Sequence, residues 1–263
     1  LLEEIGIYGI VLLLIVGILF IYLRKLRKES QVVETKIKKA LIFDPYLDTL
    51  GGGERYTLVF GLELLKLGFQ VEIAWEKADI LRQAEDRFGL DFSGLQLNPS
   101  SYLLCKNKTS LLKRAQFTSQ YDTIFWVSDG SIPLLFADNN LVHFQVPFVK
   151  LGGSKIINLI KSFFISKFVY NSEFTKKVVE KNILKNKGFV LHPPIDIDNL
   201  ISSQKEKLIL SVARFGSPSH PKRQDILIEA FRDFSSLVSG YKLILAGGVV
   251  EDGEMIESLK KQV

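Results

Sequence analysis

Three consecutive glycines, Gly51–Gly53, stand directly before a Glu-Arg pair in the stretch DTLGGGERY, Asp48 to Tyr56. Glycine has no Cβ, so backbone N–H groups there can approach a phosphate or a sugar closely. A helix that begins at such a turn adds favourable partial charge for an anion. The spacing is not Gly-x-Gly-x-x-Gly, and no acid closes the next apolar run at a ribose-binding position, so a nicotinamide cofactor is not indicated. The plainer alternative is a tight turn. His143, His192 and His220 are scattered without zinc-ligand spacing, and no Gly-x-Ser-x-Gly elbow occurs. Asp196-Ile197-Asp198 imitates an Asp-x-Asp metal motif, but it follows His-Pro-Pro near a break in the pattern and reads as linker; no tightly bound metal is expected. Ser128-Asp129-Gly130-Ser131 closes an apolar run and reads as a turn, with a cleft lining as the alternative. Cys105 is the sole cysteine, which excludes an intrachain disulfide and suits a packing or surface role.

The elements that must position these residues are legible as alternating short apolar runs and helical patterns. KALIF (39–43) reads as a buried strand, and ERYTLVFGLELLKLG (54–68) as a helix capped at its C-terminus by Gly68. QVEIAW (70–75) is a second strand and DILRQAEDRFG (79–89) a helix. YDTIFWVS (121–128), NLVHF (140–144), KFVYNS (167–172) and GFVLHPP (188–194) are further strands. KFVYNS runs into a helix at SEFTKKVVEKN, with Ser172 as its N-cap. After a polar break (198–207), KLILSVARF (207–215), RQDILIEAFRDFSSLV (223–238), YKLILAGG (241–248) and EDGEMIESLKKQV (251–263) repeat strand and helix. Such alternation means parallel sheets with crossover helices, and it puts the glycine triplet at the carboxyl end of the first strand.

Several segments, in order, resemble glycosyltransferase family 4, the retaining group with the GT-B fold. They are FDPYLDTLGGGERYTLVFGLELLKLGFQVEI, YNSEFTKKVVEK, VLHPPID, ILSVARFGSPSHPKRQDILIEAF and LILAGG, spanning about residues 38–250. The resemblance implies donor binding by Gly52, Gly53, Arg214, Lys222 and Gly247, with Arg214 and Lys222 gripping the diphosphate as negative charge grows on the leaving group. It implies acceptor contacts from Gly51, Glu54 and His143, and a catalytic part for His143, Arg214 and Lys222. Read from the residues alone, Glu54 and Arg55 shape the start of the helix, and His143 is equally an ordinary strand-end histidine. Alanine stands in ARF where the family has glycine, and no counterpart of the family's later Glu-x7-Glu motif is present.

Ile5 to Leu23 is apolar and uncharged; at about 1.5 Å per residue it is long enough to span a bilayer. Glu3-Glu4 precede it and RKLRK (24–28) follows, so the positive-inside rule places the rest of the chain in the cytoplasm. The chain carries a net charge of +5, of which residues 1–39 hold +3, and the body has no strong nucleic-acid signature. The expectation is an α/β protein of GT-B type. A membrane anchor with its basic flank (1–30) leads into an N-terminal Rossmann-like acceptor domain (38–197) and a partial Rossmann-like donor domain (205–263), both chain ends being incomplete. The expected activity is transfer of a sugar from a nucleotide sugar to a lipid-linked or envelope glycan acceptor, without cofactor or nucleic-acid partner. The GGGER form resembles mannosyltransferases that extend lipid-linked oligosaccharides. The alternatives are a non-catalytic, membrane-tethered sugar- or nucleotide-binding module and an inactive fragment.

Overall fold

The computed structural model describes residues 37–106, 110–183, 187–197, 201–215, 222–249 and 254–262, with isolated positions 11, 15, 17, 18 and 22. The anchor expected at 5–23 therefore lies almost wholly outside the described residues; among those described, no helix is long and apolar enough to cross a membrane. The chain divides into two compact units, Leu1–Ile195 and Asp196–Val263.

The first unit is a seven-stranded parallel sheet in the order β3-β2-β1-β4-β5-β6-β7. Its strands are β1 (Lys39–Phe43), β2 (Gln70–Ala74), β3 (Gln96–Leu97), β4 (Thr123–Val127), β5 (Asn139–Phe144), β6 (Lys167–Tyr170) and β7 (Gly188–Val190). The crossovers carry helices α1 (Gly52–Lys66), α2 (Ile80–Phe88), α3 (Pro99–Lys106), α4 (Leu111–Thr118), α5 (Lys155–Phe163) and α6 (Glu173–Val179). Central strands covered on both faces must be apolar throughout, and all five residues of β4 are buried. The core runs from Ala40 to Ile183 through Leu41, Ile42, Phe125, Phe144 and Phe168. At Gly61, a Cβ would meet Ile42 Cδ1 at 3.0 Å and Leu95 Cδ2 at 3.1 Å, so this glycine lets α1 lie close on the sheet. Gly68 adopts φ 81°. The N–H of Gly68 donates to Leu65 O at 2.9 Å and that of Phe69 to Leu64 O at 3.0 Å, which closes α1 as a Schellman cap.

From the centre of the sheet the strands are added as β1, β2, β3 toward one edge and as β4, β5, β6, β7 toward the other, all parallel. The order reverses between β1 and β4, and ligands of open parallel sheets bind at the carboxyl ends of the strands at such a reversal. The glycine turn follows β1 at this point.

The second unit pairs β8 (Leu208–Val212) with β9 (Lys242–Ala246) in parallel, with α7 (Gln224–Leu237) between them and α8 (Glu254–Lys260) after β9. Ile228, Phe231, Leu243 and Leu245 line the space between α7 and the sheet. The opposite strand positions, Leu210, Val212 and Ile244, are exposed.

Candidate functional site

The loop after β1 is organised around Asp44, which is almost fully buried. Its Oδ1 accepts the Tyr46 N–H at 3.0 Å, and its Oδ2 lies 2.9 Å from the Thr57 hydroxyl. The same hydroxyl lies 3.1 Å from Gly53 O. With one proton, Thr57 cannot donate to both. The set is fully satisfied when Asp44 is protonated: the carboxyl O–H donates to Thr57, and the Thr57 proton goes to the Gly53 carbonyl. Burial pushes the Asp44 carboxyl up to about 7; the Tyr46 hydrogen bond opposes this and the Glu54 charge adds to it.

Gly51 is the N-cap of α1. Its N–H donates to Glu54 Oε2 at 2.6 Å, so a buried carboxylate in the first turn satisfies a donor that the helix leaves open. Gly52 is exposed, and a Cβ added there would have nothing within 4 Å. At Gly53 a Cβ would overlap the carboxamide of Gln145, whose Nε2 donates to Gly53 O at 3.1 Å. Gln145 follows β5, and its own carbonyl accepts from Asn171 Nδ2 at 2.7 Å. Ser172 then caps α6, accepting the Thr175 N–H at 3.1 Å. The carboxyl ends of β1, β5 and β6 are thus tied into one polar edge.

Beside β1, the end of β4 adds the 128–131 turn. The Ser128 hydroxyl donates to Ser131 O at 2.7 Å and accepts from Gly130 N–H at 3.1 Å. Asp129 Oδ1 accepts both the N–H and the hydroxyl of Ser131, at 3.1 and 2.7 Å. Burial raises the Tyr46 hydroxyl above its ordinary range, and the charges of Asp129 and Asp44 raise it further, so this phenol is in the field of acids from both strand ends.

The acceptor-facing histidine expected at 143 is a core residue in this structure. Its ring is fully buried in β5, stacked at 4.4 Å on Tyr56 and 5.4 Å from Phe125. Nδ1 lies 3.1 Å from Val169 O, and Nε2 is buried without a hydrogen-bond partner. Burial pulls the imidazole down to about 4, so the ring is neutral. The residue that reaches the glycine turn from this strand is Gln145, two positions on. Tyr56 above His143 donates to Leu191 O at 3.1 Å, and Arg55 donates to Pro194 O at 2.7 Å, which straps the segment after β7 onto α1.

In the second unit, Arg214 follows β8 and Lys222 precedes α7; both are exposed, and residues 216–221 between them lie outside the described residues. Gln224, at the start of α7, donates Nε2 to Arg214 O at 3.0 Å and fixes the backbone there. A Cβ on Gly247 would overlap the Ala213 carbonyl and lie 3.2 Å from Arg214 N. Gly247 therefore permits the segments after β8 and β9 to run side by side, joined by Ala213 N–H to Ala246 O at 2.9 Å and Phe215 N–H to Gly248 O at 2.8 Å. Among the described residues no group of three or more His, Cys, Asp or Glu side chains is placed to hold a metal ion.

Asp44, Thr57, Gln145 and Asn171 were not marked by motif. For Asp44 the signal is an acid immediately after the first apolar run; for Gln145 and Asn171 it is an amide at the end of a parallel strand.

No family model and no curated protein matches the chain. Among solved structures it is similar to the crystal structure of a glycosyltransferase from Rickettsia africae ESF-5, with a TM-score of 0.60 and 19% identity. The match covers 87% of this chain and 65% of that one. The two share a fold: an α/β architecture built on a Rossmann-like parallel sheet.

Proposed function

We propose that the chain is a retaining glycosyltransferase of GT-B type. It would be held at the cytoplasmic face of a membrane by the Ile5–Leu23 anchor and would transfer a sugar from a nucleotide sugar to a lipid-linked or envelope glycan acceptor. One observation carries the reading: an open glycine turn at a helix N-terminus, placed where the strand order reverses between β1 and β4. The ordered resemblance to family 4 and the fold shared with a solved glycosyltransferase support it by analogy.

In this reading Arg214 and Lys222 hold the diphosphate of the donor, and the open space above Gly52 is offered to the acceptor. The acceptor hydroxyl oxygen bonds to the anomeric carbon as the bond from that carbon to the phosphate oxygen breaks. The hydroxyl proton passes to the leaving phosphate on the same face, so no cofactor, metal or protein nucleophile enters the step. Arg and Lys stabilise the charge that develops on the leaving group. His143 acts here as a positioning residue, supporting Tyr56 under the turn. Mannose is the first donor sugar to try.

The test is a screen of nucleotide sugars on the protein in vesicles, repeated with Arg214→Ala and Lys222→Ala. One donor should be consumed, and each variant should lose roughly 100-fold or more in kcat/KM. Near-normal turnover in both variants overturns the assignment. A nucleotide sugar that binds without turnover in the parent protein points to the sugar- or nucleotide-binding module instead.

A further inference from the structure

Helix α5 carries its amphipathicity reversed. Asn158 and Ser162, four residues apart on one face, are turned inward at 2% and 0% exposure. Ile156 and Phe163, seven residues apart on another face, stand out at 54% and 63%, with Ile157 beside them at 45%. The Ser162 hydroxyl donates to the Asn158 backbone O at 2.7 Å, while Asn158 Oδ1 is buried without a hydrogen-bond partner. Lys187 Nζ donates to the carbonyls of Ser162, Phe163 and Ile165 at 2.9, 3.2 and 2.9 Å, placing a cation at the helix C-terminus. The loop leading into the helix exposes Val146 and Val149 as well. From Asn139 to Ser172 there is no aspartate or glutamate, while Lys150, Lys155, Lys161 and Lys167 fall in this segment.

An outward apolar helix face, in a segment that carries exposed Lys150 and Lys155 and no acids of its own, is complementary to an interface that is apolar inside and anionic outside. We infer that α5 and the loop before it dock on an anionic lipid bilayer, with Ile156, Ile157 and Phe163 entering the acyl boundary and Lys150 and Lys155 meeting headgroup phosphates. A second copy of the chain fits less well, because two such faces would bring lysines against lysines. The loop begins at Val146, directly after Gln145, so a bilayer at α5 lies next to the polar strand ends. The inference goes beyond the proposed activity and does not require it, since lipid contact is read without any sugar transfer.

The test uses the full chain with an environment-sensitive fluorophore on Ile157→Cys. Cys105 does not compete, being buried with its thiol pushed up to about 12. The same fluorophore on Leu67→Cys, an exposed position at the far end of α1, is the control. In phosphatidylcholine vesicles containing phosphatidylglycerol, the label at 157 should turn blue and several-fold brighter and be quenched by brominated lipid chains, while the label at 67 stays water-like. Lys150→Glu with Lys155→Glu should remove most of that gain, since each lysine near an anionic surface is worth roughly fivefold in local partitioning. A water-like signal at 157 in these vesicles overturns the inference. So does a label already shielded, and increasingly so with protein concentration, before lipid is added, which would mean that protein covers the face.

Discussion

Asp44 and His143 are buried titratable residues of the first unit whose ionisation equilibria are moved in a way that opposes each other. The Asp44 carboxyl rises from 3.8 to about 7, so between those values the folded state binds more protons than the unfolded one. Its contribution is present at low pH and is lost as pH rises through about 7. His143 falls from 6.5 to about 4, so the folded state binds fewer protons in that range. Its contribution is present above about 6.5 and is lost as pH falls toward 4. Across the shared range the slopes have opposite sign, each at most about 1.4 kcal/mol per pH unit. Urea midpoints should therefore vary little with pH in the parent protein on account of this pair. Asp44→Asn should show stability climbing from about pH 4 to 6.5, and His143→Phe stability falling from about pH 4 to 7. Unchanged profiles in both variants would mean that neither side chain is buried as described. The histidine could be found in the sequence as a strand residue, but its inward direction could not, because that depends on Tyr56 closing over it from another element. The aspartate reads locally as an ordinary polar residue at a strand end; its burial depends on α1 lying against that strand end, where Thr57 meets it from 13 positions on.

At the scale of elements, the start of α1 separates two uses of glycine. Gly52 has free space where a Cβ would go and no positive φ, so Gly52→Ala should leave stability unchanged or raise it by up to about 1 kcal/mol through the unfolded chain. If substrate occupies the space above this residue, turnover falls in the same variant. Gly53→Ala instead displaces the Gln145 carboxamide and its bond to Gly53 O. It should cost on the order of 1 kcal/mol and loosen the tie between β1 and β5. Denaturant midpoints and kcat, measured together, check both, and a loss of stability in Gly52→Ala would refute the open turn. Most elements were readable within a residue or two, because buried parallel strands such as KALIF and TIFWV are continuous apolar runs between helical patterns. Helix α5 escaped because its inward face carries Asn158 and Ser162 while apolar residues point outward, which defeats a search for an apolar stripe facing the core. Helices α3 and α4 are each only eight residues long, too short for periodicity to declare them.

For the whole molecule, the distribution of buried apolar side chains decides how it opens. The main core cluster extends from Ala40 to Ile183 and lies wholly in the first unit. Among the described residues, the second unit contributes Ile228 and Leu259 to the buried apolar residues, and its sheet leaves Leu210, Val212 and Ile244 outward. Local stability follows apolar burial, so the two units should open separately, with the second at lower free energy. Amide exchange in β8 and β9 should be at least ~100-fold faster than in β1, β4 and β5, a gap of about 2.7 kcal/mol. Nucleoside diphosphate then tests where the donor is held. A ligand that binds only the folded second unit at about 100 times its Kd stabilises it by about 2.7 kcal/mol. Exchange across residues 208–215 and 242–249 should slow accordingly, and Arg214→Ala should abolish the slowing while β1, β4 and β5 keep their rates. Equal exchange in both units would contradict the uneven core. Slowing confined to β1 and β4 would place the diphosphate at the glycine turn and move the donor site into the first unit.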